Sequence, residues 1–301
     1  MCGIVGLLYK DPVRRGAVGG LLADMCQELG RRGPDSTGLA LYGEPAEGAL
    51  VVRVDLDRPD HDAAAAAVVT ACAELTAVRE QRRTGRSLRL VVNTVDGAHL
   101  ADHLETRVLG VRVFSIGRAM EVIKDTGRAG ELDRAHALHE HRGTHGIGHT
   151  RMATESRVDI AHSHPFWARP FPDVAVVHNG TITNYHRLRR RLELRGHQFA
   201  TGNDSEVIAV YVADRLAAGE PLAEALRASV SDLDGTFAYL IATDTAVGVA
   251  RDQFATKPLL YAENDDMVLL ASEEIAVRSV FPDPALVPRE LQAKEVRWWQ
   301  R

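Results

Sequence analysis

Met1-Cys2-Gly3-Ile4-Val5-Gly6-Leu7-Leu8-Tyr9 sets a thiol at the head of an unbroken apolar run, closed by the turn-forming pair Asp11-Pro12. Residues 3–9 are short, apolar and β-branched in part, which reads as a strand buried on both faces. If Met1 is removed, Cys2 carries both a thiol and a free α-amine. That amine titrates at roughly 7.7–8.0, close enough to neutrality to serve as a base for its own side chain. The plain alternative is a small apolar residue opening a buried strand, because free cysteines are mostly buried and inert. The hexapeptide does not decide between these readings.

Working outward, 16–30 repeats Leu21, Leu22, Met25, Cys26 and Leu29 at helical spacing, with Gly30 near its end. The loop Arg31-Arg32-Gly33-Pro34-Asp35 follows, then a strand near 39–42. From about 44 to 143 the chain becomes rich in Ala, Arg, Asp and His. It predicts a helix at 61–83 and strands at 88–95, 107–116 and 121–124, and it reads as an insertion between two halves of a core domain. Beyond it, strands are expected at 144–150, 174–178, 236–243, 246–251, 258–262 and 267–271, with helices at 184–195, 205–218 and 221–231. Strands joined as hairpins and flanked by helices point to an α/β (α+β) protein with mainly antiparallel sheets.

Composition narrows the function classes. The 301 residues are 45% hydrophobic and 26% charged, a globular profile. A formal net charge of −5 offers no basic face for nucleic acid. Three cysteines, Cys2, Cys26 and Cys72, have neither metal-ligand spacing nor the number for a disulfide framework. No window approaches the ~18 apolar residues of a membrane span, so a cytoplasmic enzyme or binding protein is expected.

Four separated segments carry chemistry. They are Cys2-Gly3-Ile4-Val5-Gly6; Arg31-Arg32-Gly33-Pro34-Asp35-Ser36-Thr37-Gly38; Gly148-His149-Thr150-Arg151-Met152-Ala153-Thr154 with His178-Asn179-Gly180-Thr181; and Gly202-Asn203-Asp204-Ser205-Glu206. Taken alone, Asn179-Gly180 is a strong turn signal. Asn203 and Glu206 have capping-box spacing, and Arg151 is an arginine ending a strand. The histidines at 136, 139, 141, 145 and 149 have spacings that a helix face can use for a metal, but charged Glu140 and Arg142 interrupt them. They read better as a polar helix entering the Gly-His-Thr-Arg strand, and no metal is expected.

In this order the four segments closely resemble the class II, N-terminal-cysteine glutamine amidotransferase domain of glutamate synthase, asparagine synthetase, glucosamine-6-phosphate synthase and amidophosphoribosyltransferase. The resemblance implies a four-layer αββα N-terminal-nucleophile hydrolase sandwich over 2–280, with the insertion at 44–143 and a tail at 281–301. It implies that Cys2 attacks the carboxamide of glutamine and its α-amine moves the proton. It puts Asn179 and Gly180 at the oxyanion hole. It makes Arg151 the partner of the substrate α-carboxylate and Asp204 that of the α-ammonium. Thr154 becomes a further substrate contact and Arg32 a support for the cysteine end of the pocket. Glu155-Ser156 stands where several members carry His-Gly, so contacts are not carried past Thr154.

The insertion, including Gly117-Arg118-Ala119-Met120-Glu121-Val122-Ile123-Lys124-Asp125, resembles stand-alone amidotransferase subunits of glutamate-synthase-like and N-methylglutamate-synthase-like systems. The expectation is therefore a glutaminase subunit with no cofactor of its own. A separate synthase subunit resembling glutamate synthase would hold any FMN or iron–sulfur cluster and receive the ammonia. A free-standing hydrolase of another γ-glutamyl amide and a non-catalytic glutamine sensor are the alternatives.

Overall fold

The computed structural model describes residues 2–153 and 158–301. The chain begins with β1 (Gly3–Tyr9), α1 (Val18–Glu28), β2 (Ser36–Tyr42), β3 (Ala49–Leu56), α2 (His61–Ala73), β4 (Val78–Thr84) and β5 (Ser87–Asn93). It continues through α3 (Gly97–Arg107), β6 (Val111–Gly117), β7 (Met120–Thr126), α4 (Ala129–His136), β8 (His145–Arg151), β9 (Phe166–Trp167) and β10 (Ala175–Ile182). Next come α5 (Tyr185–Leu194), α6 (Asp204–Ala217), α7 (Leu222–Asp232), β11 (Gly235–Ala242) and β12 (Ala246–Arg251). The chain closes with β13 (Leu260–Glu263), β14 (Met267–Ala271), α8 (Glu274–Val280), β15 (Arg289–Glu290) and β16 (Val296–Gln300).

Among the described residues these strands form three sheets. The larger two run in the orders β15-β13-β14-β1-β8-β2-β7 and β16-β12-β11-β10-β9, and the third is β4-β5-β3-β6. Every strand pair is antiparallel.

The layering follows from the two-residue period of the strands. Along β1, Ile4 and Leu8 enter the space between the two large sheets, where they meet side chains such as Val177, Leu240 and Val249. Val5, Leu7 and Tyr9 turn the other way, towards Leu22 and Met25 of α1 and Val277 of α8. The second sheet does the same: Ala238 and Leu240 of β11 point inward, while Phe237, Tyr239 and Ile241 pack on Val207, Ile208 and Tyr211 of α6. A strand apolar on both faces is thus a central strand of a sheet covered on both sides. The result is helices, sheet, sheet, helices: the four-layer αββα sandwich. Each buried Leu contributes about 1.5–3 kcal/mol, against roughly 0.2–1 kcal/mol for an exposed ion pair such as Arg227–Glu224. Layer packing therefore holds the site in place.

The region expected at 44–143 divides. Its first part forms the small sheet with α2 and α3, which cover one face through Ala64, Val68, Cys72, Leu100 and Leu104. Its last part does not stand apart: β7 pairs with β2 as the edge of the large sheet, and α4 contributes Ala129 and Leu132 to the α1 layer. The helix expected at 61–83 ends at Ala73, and 78–84 is a strand that turns at Gly85 (φ +55) into β5. The strand expected at 107–116 starts only at Val111, because Asp96 caps a helix over Gly97–Arg107, accepting from His99 N at 3.0 Å. The final 281–301 are pinned at both large sheets, through β15 on β13 and β16 on β12. No helix among the described residues is long and apolar enough to cross a membrane.

Candidate active site

The ladder between β1 and β8 pairs Gly3 with Thr150, which brings Cys2 and Arg151 to the same end of the large sheet. Asn179 and Gly180 come from β10 of the facing sheet, and Asp204 is the first residue of α6. Cys2, Arg151, His164, Asn179, Gly180 and Asp204 all line one cavity of about 430 Å³, in the size range of small-molecule sites (roughly 300–1,000 Å³). A second recess of about 230 Å³, lined by Arg32, Thr181 and Lys257, reaches Cys2, Asn179 and Gly180 as well. The thiol stands where the two meet.

Cys2 is half-buried, and its surroundings fix it by backbone as well as side chain. Met152 N donates to its Sγ at 3.3 Å, and Sγ in turn can donate to the Met152 carbonyl oxygen at 3.7 Å. Its carbonyl accepts from Arg32 Nε at 2.9 Å and from Asn179 Nδ2 at 3.1 Å. Arg32 is itself held by an ion pair with Glu273. Gly33 allows this loop to lie against β8, since a Cβ there would come within 2.4 Å of the Thr150 carbonyl. Two residues on, the Asp35 carboxylate accepts from Ala153 N at 2.8 Å, bracing the segment after Arg151.

Asn179-Gly180 is not a turn. It lies inside β10, paired with Ala238 and Phe237 of β11, because the strand's partner is supplied from more than fifty residues away. The strand is distorted there: Gly180 has φ +133, and a Cβ would fall 1.9 Å from the Thr236 carbonyl oxygen. Only glycine fits that backbone. Asn203 caps α6, its Oδ1 accepting from Ser205 N at 2.8 Å. The reciprocal half of the capping box is missing. Glu206 turns instead to Ala200 N and Thr201 N, at 2.7 and 2.8 Å. Asp204 is oriented by Ile182 N, which donates to Oδ2 at 2.8 Å. Arg151 is buried at the cavity wall. Thr154 lies outside the described residues, as does Met1.

Residues 149–279 match the family model described as a glutamine amidotransferase domain. The chain is 39% identical over 292 residues to a putative glutamine amidotransferase of Methanothermobacter thermautotrophicus, covering 93% of this chain and 94% of that one. The chain belongs to the class II glutamine amidotransferase family. The glutamine amidotransferase-like protein GlxB of Rhizobium meliloti is also 39% identical, over 91% of this chain and 89% of its own. Among solved structures, the allosteric regulatory enzyme of purine biosynthesis superposes with a TM-score of 0.64 at 20% identity. That match takes in 99% of this chain and 47% of the other, and it speaks to the fold.

This class II amidotransferase carries a histidine group behind its thiol: His149 and His178 from the motif segments, and His164 from outside them. His149 Nε2 lies 3.1 Å from Asn179 Oδ1. The Cys2 carbonyl can only accept, so it claims the Asn179 amide nitrogen and leaves Oδ1 to the imidazole N–H. His149 thereby sets which way the Asn179 amide points. Ser205 Oγ sits between His164 Nε2 (2.9 Å) and His178 Nδ1 (2.8 Å), and the His149 and His164 rings lie 4.1 Å apart.

Burial drives all three imidazoles towards the neutral form. It lowers His149 to about 3 and His164 well below its ordinary value, and it lowers His178 against the opposing pull of Asp204. Neutral rings orient neighbours by hydrogen bonding and add no cation to the pocket. The histidines of 136–149 do not share a helix: α4 ends at His136, where Ala137 turns left-handed (φ +51), and His145 and His149 lie on β8. Among the described residues no His, Cys, Asp or Glu group is arranged to hold a metal ion.

Proposed function

We propose that this amidotransferase hydrolyses free glutamine to glutamate and ammonia through a thioester on Cys2. The carrying observation is the convergence of Cys2 with Asn179, Gly180, Arg151 and Asp204 on one cavity. Removal of Met1 frees the α-amine of Cys2, which takes the thiol proton as Sγ attacks the side-chain carbonyl. The oxygen of the tetrahedral intermediate accepts from Asn179 Nδ2–H and Gly180 N–H. The α-ammonium then protonates the departing amide nitrogen, ammonia leaves, and the γ-glutamyl thioester remains. Water attacks the thioester, returning the thiol and releasing glutamate, so one glutamine and one water yield one glutamate and one ammonia. Arg151 pairs bidentately with the substrate α-carboxylate and Asp204 with its α-ammonium. Thr154 adds a contact to the carboxylate, and Arg32 holds the Cys2 carbonyl.

Ammonia passes to a separate synthase subunit of glutamate-synthase-like type in the cytoplasm, which carries any FMN or iron–sulfur cluster. The names of the two 39%-identical relatives describe an amidotransferase alone, which supports a separate synthase polypeptide. The test is glutamate release from glutamine, alone and with the co-purifying partner, beside a panel of γ-glutamyl amides. Release abolished by Cys2→Ala supports the reading. No release even with the partner, or preference for another γ-glutamyl amide, overturns it.

A further inference from the structure

A second polar cleft, which shares no lining residue with the cavities at the thiol, lies beside the small sheet. The small sheet is apolar on the face under α2 and α3, but its other face carries arginines in lateral register. Arg53 of β3 pairs with Arg89 of β5, and Arg89 pairs with Arg82 of β4. Side chains of directly paired residues share a face, and like charges set opposite each other are destabilising. Three guanidiniums in one row therefore call for a compensating anion.

The protein supplies part of one. Glu121 of β7 is bonded by Arg53 (2.7 Å) and by Arg89 (3.0 Å), and Glu80 approaches Arg89 at 3.5 Å. Arg82 has no ion-pair or hydrogen-bond partner among the described residues. Together with His136, His141 and Arg142, the row encloses a cavity of about 710 Å³. Its carboxylates are Glu121, already shared by two arginines, and Glu80 and Glu140, both exposed at the rim.

We propose that this cleft binds a phosphorylated small molecule, held by Arg82, Arg89 and Arg142 with His136 and His141 as hydrogen-bonding partners. Guanidinium forks match the oxygens of a phosphoryl group and bond it bidentately. Among the described residues no Phe, Tyr or Trp side chain lines the cleft, so its recognition rests on the arginines and the two imidazoles. A concave, partly open cleft of about 710 Å³ lies within the size range of small-molecule sites, roughly 300–1,000 Å³. Burial and the neighbouring arginines lower His136 to about 4 and pull His141 down as well. Both rings are thus neutral near pH 7 (unperturbed value about 6.5) and available as N–H donors.

The site is separate from the chemistry. Glu121 is in register with Leu41, and Leu41 with Gly146, five residues before Arg151 on β8. At about 3.3 Å per residue that is roughly 17 Å along the strand.

Calorimetric titration of the full chain with inorganic phosphate, pyrophosphate and fructose bisphosphate tests the assignment. One saturable site per chain is expected, tighter for the two larger anions and weakened by added salt. Arg82→Glu and Arg142→Glu, both at exposed positions, should retain the wild-type melting temperature and weaken binding by about tenfold or more, as loss of a charge-assisted hydrogen bond implies. Saturation by inorganic phosphate as tightly as by the bisphosphate would identify the free ion as sufficient and remove the organic ester from the proposal. Cys2→Ala should bind like wild type, so this result is independent of glutamine hydrolysis. The proposal is overturned if none of the three anions saturates, if both arginine variants bind as wild type does, or if Cys2→Ala abolishes binding.

Discussion

Removing the imidazole at position 149 is expected to slow glutamine hydrolysis without weakening glutamine binding. In His149→Ala, Asn179 Oδ1 loses its partner at 3.1 Å in a site where both residues are buried. Leaving a buried acceptor unpaired costs about 1–3 kcal/mol. Asn179 relieves that cost by rotating its amide, which takes Nδ2 away from the Cys2 carbonyl and from the position where the oxyanion forms. Complete loss of one oxyanion-hole donor lowers kcat by about 10²–10³. Because the Asn179 side chain is still present, the expected fall lies between about tenfold and that limit. The Michaelis constant should hardly move, since Arg151 and Asp204 are untouched. The assay is glutamate release across a glutamine series, with thermal melts run in parallel. His149→Gln, whose amide still offers a donor, should recover part of the rate. A kcat for His149→Ala within about twofold of wild type, or an equal loss in His149→Gln at unchanged melting temperature, would refute the reasoning.

Further outcomes follow from the same geometry. If Arg151 holds the substrate carboxylate as proposed, Arg151→Lys should raise the Michaelis constant for glutamine by about tenfold or more, with kcat less affected, in steady-state assays. Gly180→Ala meets both a positive φ and a contact at 1.9 Å, so it should lower stability by about 3 kcal/mol or more and abolish activity, as chemical unfolding and glutamate release would show. Acid should unfold the protein early. His145 and His149 are lowered to about 3 and His136 to about 4, so below about pH 6.5 the unfolded chain takes protons that the folded chain refuses. Each of these histidines then removes about 1.4 kcal/mol per pH unit as pH falls from 6.5 towards its folded value. Urea unfolding between about pH 7 and pH 5 measures the slope, which should be shallower in His145→Gln.

The parts that were legible in the sequence are local ones. β1, β12 and β14 fall where their apolar runs predict, because a strand covered on both sides advertises itself by composition alone. The motif segments likewise sit at the ends of elements that their own residues define, such as Arg151 closing β8 and Asp204 opening α6. What escaped depends on partners distant in the chain. Asn179-Gly180 has the composition of a turn, yet β11 captures it as strand. β7 belongs to the large sheet because β2, about eighty residues earlier, pairs with it. The grouping of His149, His164, His178 and Ser205 draws on separate segments, and no local spacing encodes it. Two misses had signals in plain view: Asp96 with Leu100 and Leu104 marks α3, and Gly85 marks the β4–β5 hairpin.

The central claim is that Cys2, with its own α-amine, forms a covalent bond to the side chain of glutamine. Intact-mass analysis of active protein before and after treatment with a glutamine-like diazo-ketone tests it most directly. The expected result is a chain lacking Met1 that gains one adduct, mapped to the peptide beginning at Cys2, with loss of glutamate release in proportion to labelling. Met1 retained on active protein would contradict the α-amine role. Glutamine hydrolysis persisting in Cys2→Ala, or binding of glutamine with no label at Cys2, would contradict the nucleophile itself.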